Sequence, residues 1–292
     1  MTPWTKRWFQ YSLLFILAFV WGSSFILMKI GLLSFSSAQV ASLRIFLASL
    51  VLLPLSIKNL KLLKRKDILP LLVAGFVGTY IPALLFTKAQ VRIDSALAGM
   101  LNSLTPVFTL IIGLIILKGR TSWLQVSGLI IGFFGAAGLI LQSNNGISGN
   151  FNGYAFYIIA ATMCYGFSIN IVKKYLTHLK GVQITGLAFL FIGPVALTNL
   201  LAGDIQSALL SPNWEMHLLA VAVLGIIGTV LAMLIMYSLI RYTSAVFASS
   251  VTYIIPVFAL VWGILDGETI SLFHVVSLLL ILLGVYLINR KN

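Results

Sequence analysis

Trp21-Gly22-Ser23-Ser24 and Tyr165-Gly166-Phe167-Ser168 are one pattern written twice, 144 residues apart. The same shift lays Lys29 on Lys173, Gln39 on Gln183 and Leu43 on Leu187. A shift of 150 then lays Gly75, Gly78 and Thr79 on Gly225, Gly228 and Thr229, Pro106-Val107-Phe108 on Pro256-Val257-Phe258, and Gly113 on Gly263. Two registers separated by one loop insertion are what a diverged duplication leaves. The chain therefore reads as two units, residues 1–145 and 146–292.

Composition names the solvent. With 60% hydrophobic and only 9% charged residues, the chain lies far outside soluble usage. A helix crossing about 30 Å of hydrocarbon needs roughly twenty residues at about 1.5 Å each. Ten stretches qualify, near 11–30, 36–56, 68–87, 95–116, 123–141, 153–173, 182–201, 216–238, 243–264 and 271–289. Barrel strands would instead alternate apolar and polar residues. The sequence predicts an all-α membrane protein of ten transmembrane helices, five in each unit. An odd number of spans makes the second unit enter from the opposite side, so the halves are inverted repeats. Lys6 and Arg7 before the apolar Tyr11 to Val20 imitate a signal peptide, but the run continues to Ile30 without a small-x-small cleavage site, so it reads as an uncleaved first span.

The net charge of +13 invites a nucleic-acid reading, yet Lys and Arg sit in short clusters between the apolar runs. Such clusters are topology signals, and no nucleic-acid partner follows from them. A cytoplasmic N-terminus puts Lys6, Arg7, Lys58, Lys61, Lys64, Arg65, Lys66, Lys118, Arg120, Lys173, Lys174, Lys180, Arg241, Arg290 and Lys291 inside, 15 of the 19 basic residues. Only Lys29, Arg44, Lys88 and Arg92 fall in the outer half, which places both termini in the cytoplasm. The outer connections after the fifth, seventh and ninth spans carry acidic residues alone, Asp204, Glu215, Asp266 and Glu268. Cys164, the single cysteine, has no intrachain partner and reads as a packed thiol.

Pro106 and Pro256 fall mid-span, where proline cannot donate to the carbonyl four residues earlier. Those carbonyls belong to Asn102 and Thr252, both near the bilayer midplane. Irregular backbone at that depth lines a cavity or is buried in protein, and paired breaks in inverted halves mark a central site. A kink for packing alone, with Ser or Thr hydroxyls serving the carbonyls, stays open. Trp21, Ser24 and Met28 share one helical face, as do Tyr165, Ser168 and Val172 in the sixth span. Trp21 taken alone also suits an interfacial anchor. Arg44 lies well inside a span, at a cost of roughly 2.5 to 3.5 kcal/mol, with no acidic residue at its depth. Either it snorkels or pairs with backbone carbonyls, or its counter-ion is a substrate anion. The candidate cavity is lined by Trp21, Ser24, Tyr80, Asn102, Thr105, Tyr165, Ser168, Thr252 and Tyr253, with Arg44 near its outer entrance. Gly128, Gly132 and Gly135 give the fifth span a smooth face, for packing within the chain or for a homodimer through the fifth and tenth spans.

An enzyme is not expected. The chain has no His-Glu-x-x-His, no intramembrane aspartate pair, and no serine or cysteine with a histidine at matching depth. No cofactor or metal is expected, and His178, His217 and His274, at span ends or in loops, offer no visible proton relay. A channel or scaffold lacks any supporting motif. A carrier accounts for inverted halves with midplane breaks.

The chain resembles the drug/metabolite transporter superfamily, in its ten-helix EamA type, over essentially its whole length. The residues that carry the resemblance are Trp21-Gly22-Ser23-Ser24-Phe25, Arg44-Ile45-Phe46, Ala89 with Ser95-Ala96, Pro106 and Pro256, and Gly267-Glu268. The resemblance implies a bacterial inner-membrane permease that exports amino acids or other small metabolites through a central cavity by alternating access. One departure is that the family's Gly-Glu after the fourth span is here Lys118-Gly119. Ten-helix carriers of phosphorylated or nucleotide-linked metabolites are the alternative, with Arg44 and Lys29 meeting an anionic ligand; a non-transport scaffold comes last.

Overall fold

The computed structural model describes residues 3–117, 122–142 and 153–289. Lys118, Gly119, Arg120, Arg290 and Lys291 lie outside the described residues. Among the described residues there are only helices and turns. Eight helices among the described residues are long and apolar enough to cross a membrane: α1 (Arg7–Gly31), α2 (Ser37–Leu62), α3 (Arg65–Gln90), α4 (Ser95–Ile116), α6 (Ala155–Tyr175), α7 (Gly181–Leu201), α8 (Trp214–Tyr242) and α9 (Phe247–Leu265). Two further helices, α5 (Trp123–Gln142) and α10 (Leu272–Asn289), have shorter apolar cores. The chain is a multi-pass membrane protein.

Matched polar residues start matched helices. Ser36 N–H donates to Gln39 Oε1 at 2.8 Å ahead of α2, and Lys180 N–H donates to Gln183 Oε1 at 2.7 Å ahead of α7. The repeated glutamine thus satisfies a backbone donor that the first helical turn leaves unpaired. Ser122 and Gln125 do the same for α5, and Ser271 and His274 for α10.

In lipid, helices gain little from hiding apolar surface, so association depends on close packing and polar contacts. The contacts come in pairs that exchange the two halves: α1 packs on α8 and α9 as α6 packs on α3 and α4, while α2 meets α7 and α5 meets α10. Gly75 in α3 faces the Ala188 carbonyl of α7, where an added Cβ would come within 3.0 Å, and Gly225 in α8 faces the Arg44 carbonyl of α2 at 2.8 Å. Ala188 is the repeat counterpart of Arg44. Gly128 of α5 likewise lies against the Gly284 carbonyl of α10, so the glycine face of α5 is filled within the chain. The pairing reaches polar loop residues. Ser34 Oγ lies 2.6 Å from His217 Nδ1, and their counterparts His178 and Asp67 approach to 3.2 Å.

A feature the periodicity did not foretell is a π-helical turn in each half, Val73–Tyr80 in α3 and Ile226–Leu231 in α8. Thr79 Oγ1 donates to the carbonyl of Ala74, five residues back, and Thr229 Oγ1 to that of Leu224, both at 3.1 Å. The repeated Gly-x-x-Gly-Thr is therefore the sequence of a widened turn, a device that gathers at functional sites. Cys164 is half-buried rather than packed away.

Candidate functional site

The fourth and ninth helices are broken, not merely kinked. One piece of α4, Ser95–Asn102, ends in a turn, and Thr105–Leu117 starts afresh. Helix α9 runs through Ala245–Ser249 and a 3₁₀ turn, Ser250–Tyr253, before restarting as Ile255–Leu265. Pro106 and Pro256 are each the second residue of the new piece, where a missing N–H has no intrahelical partner to lose. The Asn102 carbonyl accepts from Thr105 Oγ1 at 2.8 Å, and the Thr252 carbonyl from Ser103 Oγ at 3.0 Å. Hydroxyls thus serve both carbonyls at the breaks, and Ser103 ties one break to the other.

A cavity of about 80 Å³ opens beside this junction. Of the residues expected there, it gathers Trp21, Ser24, Arg44, Asn102, Thr105, Tyr165, Ser168 and Thr252 into one wall. Trp21 is held by its Nε1–H, which donates to the Gly228 carbonyl at 3.0 Å, so the π turn of α8 orients an α1 side chain. Tyr165, its repeat counterpart, stacks on Phe86 at 6.0 Å. Tyr80 and Tyr253 are not brought to the cavity. The Tyr80 hydroxyl lies between α2 and α7, accepting from Asn199 Nδ2 at 2.9 Å, and the Tyr253 hydroxyl donates to the Val285 carbonyl of α10 at 3.4 Å. Both lie beside a break in sequence, but the widened or 3₁₀ turn rotates their side chains away.

Arg44 forms part of the cavity wall, and it is only 8% exposed. Its Nε donates to Thr229 Oγ1 at 2.6 Å, so the threonine of the second π turn fixes it. Lys29 is not part of the wall. Its ammonium meets Asp266 at 2.5 Å and Glu268 at 3.0 Å. The repeat counterpart Lys173 turns to the carbonyls of Ile240 and Thr243. Residues missed from sequence include Phe25, Phe86, Met233, Met236 and Tyr237. Tyr237 donates to the Ala74 carbonyl at 3.2 Å, within the first π turn. Its counterpart under the shift of 150 is Thr87, so the repeat itself carried no signal for it.

The motifs Ser95-Ala96 and Gly267-Glu268 meet in space. Gly267 adopts φ +79°, a left-handed turn open to glycine, and this turns the Glu268 carboxylate onto the start of α4. The carboxylate accepts from the N–H groups of Ser95 at 2.8 Å and Ala96 at 2.9 Å while pairing with Lys29. A negative charge there complements the helix dipole as well as two unpaired donors. Partial burial and the nearby Glu268 and Asp266 push the Asp94 carboxyl above its ordinary range, against the opposing pull of Lys29 and His274. Where the second half would need the same cap, Ser244 Oγ accepts from the Phe247 N–H at 3.0 Å.

The chain matches the EamA-like transporter family twice, over residues 8–141 and 152–290. It belongs to the EamA-like transporter family. This EamA-like chain is 29% identical to the uncharacterized inner membrane transporter YedA of Escherichia coli K12, covering 96% of this chain and 93% of YedA. It is 23% identical to a probable terminal-alkyne amino-acid exporter of Streptantibioticus cattleyicolor, covering 93% and 90%. A protein of known crystal structure superposes with a TM-score of 0.67 over 97% of both chains at 15% identity, which is a likeness of fold. As a member of this family the chain is a membrane transporter of small molecules, and the names of its relatives point to transport rather than enzymatic chemistry.

Proposed function

We propose that this EamA-like protein exports small metabolites, amino acids or related compounds, across a bacterial inner membrane by alternating access. The observation that carries this reading is the cavity at the junction of the two broken helices, walled by residues of both halves. Ten spans in two inverted units, 1–145 and 146–292, with both termini cytoplasmic, are the topology we assign. The exchange of matched contacts between α1/α6, α2/α7, α3/α8 and α4/α9 supports it, since two packings of a duplicated scaffold can interconvert by rocking. In that topology the cavity residues are the binding site, alternately open to each side.

Size and relatives narrow the substrate. At roughly 10–15 Å³ per water position, a cavity of this volume admits roughly half a dozen small groups, the scale of an amino acid. The Streptantibioticus relative is named an amino-acid exporter, which supports that class. The phosphorylated or nucleotide-linked reading loses its second cation, because Lys29 is committed to Asp266 and Glu268. The cavity is complete within one chain, so the transporting unit needs no second copy.

The test is efflux from cells overproducing the protein, screened across amino acids and small metabolites. We expect at least one compound to leave faster than from control cells, and Trp21→Ala and Asn102→Ala to abolish that gain at equal membrane levels. Variants that export like the parent would overturn the assignment of the cavity.

A further inference from the structure

We infer that Arg44 is a carboxylate-binding residue, and that the cavity takes a small monocarboxylate with an otherwise apolar surface, an α-ammonium group being dispensable. The inference rests on the reading of the cavity as the substrate site.

Arg44 is more than nine-tenths buried, yet the cavity lining includes no Asp or Glu, and among the described residues no carboxylate lies within ion-pair distance of it. Among the described residues its one hydrogen bond is the Nε contact to Thr229, which orients the guanidinium and leaves the Nη groups without an acceptor there. A buried charge that lacks a counter-ion is costly, and Arg presents a planar fork suited to a carboxylate. Packing does not require it. At the repeat-equivalent position Ala188 offers its carbonyl to Gly75 just as Arg44 offers its own to Gly225, so the helix contact is made equally well without a guanidinium. The side chain is thus an asymmetry placed on a symmetric scaffold, and it points to a ligand rather than to the fold.

The rest of the wall sets the remaining chemistry. Phe25, Met28, Phe86, Met233 and Met236 surround the polar residues with apolar and adaptable side chains. One cation in the wall matches one negative charge, which disfavours a phosphate dianion. No anionic residue is there to meet an ammonium group, so removing the amino group from a ligand should cost little.

The experiment is calorimetric titration of the purified full-length protein with four isosteres: 4-methylpentanoate, its methyl ester, 3-methylbutylamine and L-leucine. We expect the acid and leucine to bind within about threefold of each other, and the ester and amine at least about tenfold more weakly. Arg44→Gln should bring the acid down to the level of the ester. An ester or amine that binds as tightly as the acid, an acid that does not bind, or a retained acid preference in Arg44→Gln overturns the inference. Leucine binding more than tenfold tighter than the acid overturns the dispensable ammonium. If Arg44→Gln does not fold, acid against ester on the unmodified protein decides the matter. Should the ester or amine bind best and lose that binding in Trp21→Ala, the cavity reading stands and only the carboxylate assignment falls. No binding by any probe together with no efflux in the cell screen ends both.

Discussion

Replacing Glu268 with Ala should loosen the start of α4 without touching the cavity. In the folded protein the carboxylate is 3% exposed and serves three donors, the Ser95 and Ala96 N–H groups and Lys29 Nζ. Loss of an N-terminal cap costs about 1 kcal/mol, and loss of a negative charge at a helix N-terminus about 0.3–1 kcal/mol more. Lys29 is about a third exposed, so solvent screening limits the ion pair to at most about 1 kcal/mol. The sum is roughly 1–3 kcal/mol, which for a chain of this size lowers the melting temperature by roughly 3–12 °C. Glu268→Gln keeps an oxygen for one N–H but turns an amide NH₂ toward the other, and should show roughly half that shift. Asp266 is 36% exposed and bonds no backbone donor of α4, so Asp266→Ala should move the midpoint by less than either. The assay is thermal unfolding of the three variants in detergent, followed by loss of the monodisperse peak. A Glu268→Ala midpoint within about 1 °C of the parent would refute the capping role.

Four further outcomes follow from the geometry. Because Asp94 is harder to ionise in the folded protein, the stability it allows is full at acid pH and declines as pH rises through its raised value. Asp94→Asn should therefore melt slightly higher than the parent at pH 7 and match it near pH 3; equal midpoints at both pH values would count against this. Gly225→Val would drive a side chain into the Arg44 carbonyl, and should yield little monodisperse protein by size-exclusion chromatography. Ser103→Ala leaves the carbonyl of the buried Thr252 without its donor and should cost about 1–3 kcal/mol, read as a lower melting temperature. For topology, in a Cys164→Ser background a cysteine at Leu210 should react with an impermeant maleimide on intact cells, and one at Lys64 only after permeabilisation. Asn145, another outer position by sequence, lies outside the described residues.

Some of the site was legible because the repeat marks positions under the same constraint in both halves. Trp21 with Ser24, and Tyr165 with Ser168, could each be placed on one face of their helix from helical spacing, and Asn102 and Thr252 from their distance to a proline. Each of those inferences uses only local geometry. Tyr80 and Tyr253 show where local geometry ends. A π or 3₁₀ turn changes the angle per residue, so the direction of a neighbouring side chain cannot be extrapolated with the α-helical period. Gly-x-x-Gly-Thr was visible as a repeat but not as a widened turn, since helical spacing does not show that each threonine hydroxyl bonds the carbonyl five residues back.

Run length, composition and duplication by themselves determined that this chain lives in lipid as helices, because a bilayer leaves the backbone few ways to satisfy its hydrogen bonds. They also determined where those helices would break, because proline lacks an N–H. Only the tertiary structure decided which charges meet. Lys29 and Arg44 both looked like cations free to face a ligand, yet Lys29 is answered by two carboxylates from a connection some 240 residues away, while among the described residues Arg44 is answered by a threonine alone. Pairing of this kind depends on contacts between distant segments, which no local pattern encodes, and it separates a charge that holds the fold from one with no carboxylate partner among the described residues.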